Sequence, residues 1–182
     1  VARFYLGVPE LAVAEGEAQL FDLVGDMALQ TTIDLYDHHG ASVLAEAKMN
    51  MGSETYNAQL SIDSLVVNNY MPMEQKAAFT GQITASGRGF DIYSPHTTIK
   101  AAANIFSGCF GKINLSNIAA DVSMEGHQVD VTMAADNEQL KTHFNLVAEL
   151  QRKLVSGYLN IDLPFIDAKS MGFSDQRLEL TT

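Results

Sequence analysis

The sequence predicts an all-β chain, mainly an antiparallel meander, whose strands carry one apolar and one polar face. Apolar residues recur at every second position through most of the 182 residues, the spacing of strands half in contact with a core. Turn residues punctuate this alternation about every ten residues, too soon for ordinary helices and regular enough for successive hairpins. No linker or low-complexity segment interrupts the pattern, so residues 1–182 read as one β-rich segment, a fragment or processed form of a longer chain.

The elements follow in order. Phe4, Leu6 and Val8 suggest a first strand, and residues 15–29 read as strand with helix as the competitor. Leu29, Thr31, Ile33 and Leu35 alternate with Gln30, Thr32 and Asp34, and Asp37-His38-His39-Gly40 supplies turn chemistry. The return strand sets Val43, Ala45, Ala47 and Met49 on one face, and Gly52-Ser53-Glu54 turns the chain again. Tyr56, Ala58, Leu60 and Ile62 then alternate with Asn57, Gln59, Ser61 and Asp63. The pattern breaks through residues 66–72, where Pro72 disfavours helix at Met71, and residues 73–78 are expected to form one short helical turn. Alternation resumes with Phe79, Gly81, Ile83 and Ala85 and runs into a glycine-rich kink or bulge at Gly87-Arg88-Gly89-Phe90-Asp91. Ile99, Ala101, Ala103 and Ile105 have strand period, although their alanines keep helix in competition.

The second half is the more regular. Ile118, Ala120, Val122 and Met124 form one face, ended by Glu125-Gly126-His127. Val129, Val131, Met133 and Ala135 follow, then Thr142, Phe144, Leu146 and Ala148, and last Val155, Gly157, Leu159, Ile161 and Leu163. A single apolar face has two physical uses. It can seal against a second sheet as a β-sandwich, or it can line an open groove, a taco-like half-barrel with an apolar interior. Periodicity does not separate the two.

Composition narrows the function. Hydrophobic residues make up 47 % and charged residues 18 % of the chain, which argues against disorder. Tryptophan is absent, so any core relies on aliphatic residues, alanine and methionine. A net charge of −11 with 11 scattered Lys and Arg argues against nucleic acid, whose phosphates need clustered cations, and against anionic lipid headgroups. Cys109 is the sole cysteine, which rules out an intrachain disulfide. No run approaches the roughly 18 apolar residues that span a bilayer as a helix.

Chemical motifs are weak. Asp37-His38-His39 is the one concentrated set of metal-ligand types, without the further ligands a structural zinc site needs, and a polar hairpin tip is the plainer reading. Asp91, Tyr93 and His96 lie near one kink and are again read as solvated loop. Gly87-Arg88-Gly89 lacks the third glycine and following helix of a dinucleotide fingerprint. Cys109 has no matched His context for nucleophilic catalysis and is expected to pack as a small hydrophobe. Asn114-Leu115-Ser116 matches a glycosylation acceptor, a triplet common by chance. The eight methionines suit either a variable apolar ligand or ordinary core. The expectation is therefore a non-enzymatic protein with no cofactor and no metal.

One ordered set of segments resembles a known family. Tyr56-Asn57-Ala58-Gln59-Leu60-Ser61-Ile62-Asp63-Ser64-Leu65 leads to Tyr70-Met71-Pro72. Thr80-Gly81-Gln82-Ile83-Thr84-Ala85-Ser86-Gly87-Arg88-Gly89-Phe90-Asp91 and Thr97-Thr98 come next, then Ala135-Asp136-Asn137 and Ile161-Asp162-Leu163-Pro164-Phe165. Over roughly residues 30 to 170 this order resembles the TamB-like (translocation and assembly module) proteins within the AsmA-like group of Gram-negative bacteria. The resemblance implies a periplasmic chain, anchored in the inner membrane through a segment outside this sequence. It further implies a curled β-groove linked to phospholipid movement and to outer-membrane protein assembly with a barrel partner. The matching groove-lining positions would be Tyr56, Leu60, Ile62, Val129, Val131, Phe144, Leu146, Leu159 and Ile161. The family offers no catalytic residues to carry over. The alternative is a β-sandwich interaction or carbohydrate-binding module, against which the missing Trp counts mildly. A fragment is also expected to expose a sheet edge, by which two copies would pair edge to edge.

Overall fold

The computed structural model describes residues 2–5, 11–23, 26–152 and 154–174. Twelve strands follow in order: β1 (Ala2–Tyr5), β2 (Leu11–Leu23), β3 (Asp26–Asp37), β4 (Ser42–Asn50), β5 (Thr55–Val66), β6 (Ala77–Arg88), β7 (Thr98–Phe110), β8 (Ile113–Asn114), β9 (Ile118–Glu125), β10 (Gln128–Asp136), β11 (Leu140–Gln151) and β12 (Leu154–Ile166). All belong to one antiparallel sheet whose spatial order is the chain order, with two-residue β8 set off the path against β7. The sheet is an open meander. It runs from β1 to β12 without a ladder joining those two, so it is not closed into a barrel among the described residues. Among the described residues no second sheet faces it, so they form an open single layer and not a sealed sandwich.

Of residues 15–29, residues 15–23 lie in β2 and 26–29 in β3, while 24 and 25 lie outside the described residues; the alanine-rich stretch at residues 99–105 is strand, inside β7. Two local expectations are corrected. The helical turn expected at residues 73–78 lies earlier, as a 3-10 turn at Val67–Asn69, and Ala77 already belongs to β6. The reason is Asn68, whose side-chain Oδ1 accepts the Ala77 N–H at 2.8 Å while Nδ2 donates to the Gln75 carbonyl at 2.9 Å. Those bonds hold residues 73–76 as an irregular connection that bends at Glu74 and Gln75. The kink expected at residues 87–91 is not in the ladder either: Gly87 pairs regularly with Tyr56 and Ile99. Glycine is required there by packing, since a Cβ would overlap both the Tyr56 hydroxyl and the Thr98 carbonyl. Gly89, at φ +85°, is where the chain leaves the sheet.

The register irregularities sit elsewhere. β5 carries an extra residue between Ile62 and Leu65, where Ser64 takes φ +54° and its N–H reaches the Thr80 hydroxyl at 3.0 Å. β7 carries Phe106 between the partners of Thr80 and Gly81. β12 has its irregularity opposite Lys141 and His143, at Pro164. These bulges lie toward the same end of the sheet, where they add twist and bend.

Burial is concentrated at the two ends of the strands. At one end, Asp37, Ala41, Ala77, Ala135, Asn137, Ala168 and Met171 are buried; at the other, Thr97, Met124, Gly126 and Ala148. The chain exposes 11883 Å², against about 8,600 Å² for a compact monomer of 19.8 kDa. The excess is what an open single layer requires.

Hydrogen bonds stitch the first of these rims from turn to turn. Tyr70 bonds Asp37, the Gly111 N–H reaches the Lys76 carbonyl at 2.7 Å, and the Asn114 N–H reaches the Gln139 side chain at 2.6 Å. Asn137 is the most connected member. Its Oδ1 accepts the Gln139 and Leu140 N–H groups, each at 3.0 Å, and its Nδ2 donates to the Ser116 carbonyl at 2.9 Å. Asn137→Ala leaves those partners unsatisfied in a buried place and should cost about 2 kcal/mol or more. Lys141→Ala, which removes an exposed ion pair with Asp136, should cost under about 0.5 kcal/mol. Urea denaturation of the two variants beside the parent checks the contrast.

Candidate functional site

Cross-strand register assembles the apolar positions into rows that run perpendicular to the strands. One row is Ile33, Ala45, Leu60, Ile83, Ala103, Ala120, Met133, Phe144 and Ile161; the next is Thr31, Ala47, Ala58, Ala85, Ala101, Val122, Val131, Leu146 and Leu159. A third joins Leu29, Met49, Tyr56, Gly87, Ile99, Met124, Val129, Ala148 and Gly157, and a fourth runs from Leu35 and Val43 through Ile62 and Gly81 to Ala135 and Thr142. No row contains a charged residue. Nine strands at about 4.8 Å spacing give a track of roughly 38 Å, and the four rows make it about 20 Å wide.

All nine residues expected to line a groove, Tyr56, Leu60, Ile62, Val129, Val131, Phe144, Leu146, Leu159 and Ile161, fall on this face. The middle of the face is open: Ile83, in its centre, is 46 % exposed, and Leu60, Phe144 and Leu146 are half-buried. Between β4 and β9 the two central rows are mostly alanine. Toward β10–β12 the same rows turn to Val131, Met133, Phe144, Leu146, Leu159 and Ile161, so the side chains along the track grow bulkier from one end to the other.

One aromatic contact on this face was not legible from alternation. Phe90, in the connection after β6, stacks on Tyr56 with ring centroids 6.0 Å apart and planes 21° apart. The same connection is tied down by the Gly89 N–H to the Glu54 carbonyl at 2.8 Å and by the Gly126 N–H to the Thr97 carbonyl at 2.8 Å. It therefore links the strand ends from the β4–β5 turn across to the β9–β10 turn. Residue Asp91 meets Arg152 at 3.4 Å, and that guanidinium lies 5.9 Å from the Tyr93 ring centre. The structure thus brings Asp91 and Tyr93 together with Arg152. Exposed His96 instead bonds Ser94 through its backbone.

The opposite face is polar, with shallow depressions such as the one of about 280 Å³ lined by Lys100, Asp121, Asp130 and Thr132 among others. Among the described residues, no three His, Cys, Asp or Glu side chains gather as a metal site, and no helix is long and apolar enough to cross a membrane. Cys109 is free and half-buried in β7, where it pairs with Ala78 and Asn114. Asn114 is part of the rim, its Oδ1 accepting the Ser116 N–H at 2.8 Å.

Asp37 has a structural task. Its Oδ1 accepts the His39 N–H at 2.9 Å and the Ala41 N–H at 2.6 Å, and its Oδ2 accepts the Tyr70 hydroxyl at 2.6 Å. The Tyr70 bond, more than any other influence, lowers the carboxyl below its ordinary value; burial opposes it, and the Ala41 and His39 amides and the His39 charge add to it. His38 and His39 stay exposed at the tip.

Compared with known proteins, the chain matches no family model, no curated protein and no solved structure.

The Asp37 bonds set a pH dependence. A carboxyl lowered on folding stabilises the fold above the unfolded value near 3.9, and this contribution is lost as pH falls through the folded value. Asp37→Asn and Tyr70→Phe should therefore each lower the melting temperature at pH 7. The gap between Asp37→Asn and the parent should narrow steadily below about pH 4, which thermal melts from pH 3 to 7 would show. A gap that stays constant or widens on acidification would exclude this role.

Proposed function

We propose that the chain is a non-catalytic scaffold of outer-membrane biogenesis in the periplasm, whose open apolar face accommodates phospholipid acyl chains. The observation that carries this reading is the uncharged track across nine strands, open in its middle and bounded at both strand ends by hydrogen-bonded rims. An acyl chain gains about 0.8 kcal/mol per CH2 removed from water, so a sixteen-carbon chain half covered by the track gains roughly 6 kcal/mol. The excess acidic charge lies off the track, which suits apolar tails and not anionic headgroups.

The resemblance to TamB-like and AsmA-like proteins supports the setting: a chain held to the inner membrane by a segment outside this sequence, acting toward the outer membrane. Within that setting, the same apolar rows would also suit the lipid-facing side chains of an outer-membrane barrel protein during assembly. A carbohydrate-binding sandwich needs two sheets and is usually served by aromatic platforms; the described residues form one sheet, and the sequence has no tryptophan.

Alternation provides the test. A photoreactive benzophenone residue at Ile83, on the track, should cross-link phospholipid, while the same residue at neighbouring Thr84, on the polar face, should not. Ile83→Glu places a charge at mid-track and should weaken lipid retention about tenfold or more, since a charge set against hydrocarbon costs about 2.5 kcal/mol. Equal cross-linking at both positions, or lipid-free protein recovered from membranes and unable to take up phospholipid, would overturn the proposal.

A further inference from the structure

At the end of the sheet where β6 stops and β7 begins, the surface sinks into a depression of about 1150 Å³. Glu54, Arg88, Phe90, His96, Thr98 and Glu125 are among its lining residues. The charges there are of both signs, and neither Arg88 nor Glu54 nor Glu125 makes an ion pair with another described residue. Asp91 differs, since Arg152 engages it at 3.4 Å. Register explains why the opposite charges stay apart. Arg88 pairs with Thr98 and Thr98 with Glu125, so the two charged residues stand on one face with β7 between them, their Cα atoms about 10 Å apart.

The walls are fixed by bonds of their own. Glu54 takes φ +54°, a left-handed conformation uncommon for a residue of its type, and its carbonyl accepts the Gly89 N–H at 2.8 Å. The Thr97 hydroxyl donates to the Asp91 carbonyl at 2.6 Å, and the Thr97 carbonyl accepts the Gly126 N–H at 2.8 Å. Phe90 belongs to two surfaces: its ring stacks on Tyr56 of the track, and it also lines the depression. The charged depression and the apolar track therefore meet at this residue.

We propose that the depression binds the phosphoethanolamine headgroup of a phospholipid whose acyl chains lie on the track, an inference that rests on the acyl-chain reading of that face. Arg88 takes the phosphate, which a guanidinium can grip through two parallel N–H donors. Glu54 and Glu125 accept the ammonium, a compact cation with three N–H donors. An anionic headgroup would satisfy Arg88 and bring further negative charge to two carboxylates. A trimethylated ammonium has no N–H to give them. A zwitterion with a primary amine answers all three charges.

The delipidated chain, offered equal amounts of phosphatidylethanolamine, phosphatidylglycerol and phosphatidylcholine with identical acyl chains, gives the test when its bound lipid is counted by mass spectrometry. Phosphatidylethanolamine should be enriched about threefold or more over each competitor, the scale of one or two exposed ion pairs. The triple variant Glu54→Gln, Arg88→Gln, Glu125→Gln should bind the three lipids at their input ratio. Its total bound lipid and circular dichroism spectrum should match the parent, because all three side chains are exposed. Glycerophosphoethanolamine, which has no acyl chains, separates this inference from the reading it rests on. It should shift the amide NMR resonances of Gly89, Thr98 and Gly126, and should not do so in Arg88→Gln. Lipid bound by the parent at the input ratio, enrichment of either competitor, or enrichment that survives the triple variant would overturn this inference and leave the track standing. Shifts with glycerophosphoethanolamine but no uptake of any lipid would instead overturn the track reading and, with it, the assignment to a lipid headgroup.

Discussion

The structure depends on one constraint, the conserved parity of its hairpins. Side chains alternate across a strand with a period of two, so a register slip of a single residue sends an entire strand's apolar set to the other face. From β3 to β12 every ladder keeps odd against odd or odd against even in the one combination that preserves the face, as in Leu60 with Ile83 and Ala120 with Met133. The tight connections enforce this. Gly40 and Gly126 take positive φ where the β3–β4 and β9–β10 turns need it, and Asp37 and Asn137 tie down turns with their side chains.

The same rule explains which parts of the fold were legible in the sequence. The faces of β3 to β5, β9 to β11 and most of β12 could be read off alternation because their ladders are regular over those stretches. The alternation fails after Asp63, after Ile105 and after Leu163, and each failure marks a bulge: at Ser64, at Phe106 and at Pro164. An extra residue inverts parity, so a correct strand no longer looks like one. β5 continues to Val66 and β7 to Phe110 beyond the points where the pattern dissolves. Short β8 had no period to show.

The rims were illegible for a different reason. Tyr70 and Asp37 are 33 residues apart, and Asn137 reaches back 21 residues to Ser116. Bonds of that kind are made by single polar side chains in irregular connections, and they leave no repeat for a pattern to detect. Asp37-His38-His39 and Asp91-Tyr93-His96 drew notice as ligand sets by residue type. In each, the carboxylate instead closes its own turn through a backbone amide and takes a long-range partner, Tyr70 for Asp37 and Arg152 for Asp91.

An open apolar face raises the question of what holds a single layer together. A sealed sheet derives most of its stability from face burial; here the middle of the face stays in contact with water, and burial is left to the two rims. What remains is the antiparallel ladder, the stitched connections and contacts between neighbouring side chains within each row. Small residues in the central rows reduce the cost of the arrangement, because an exposed alanine forfeits far less hydrophobic burial than an exposed leucine. The bulky residues gather toward β12. Anything that covers this face removes apolar surface from water in the folded state alone, so it stabilises the fold by mass action as it binds. Occupancy and stability are therefore linked in this architecture, and most strongly at the β10–β12 end, where the covered residues are largest.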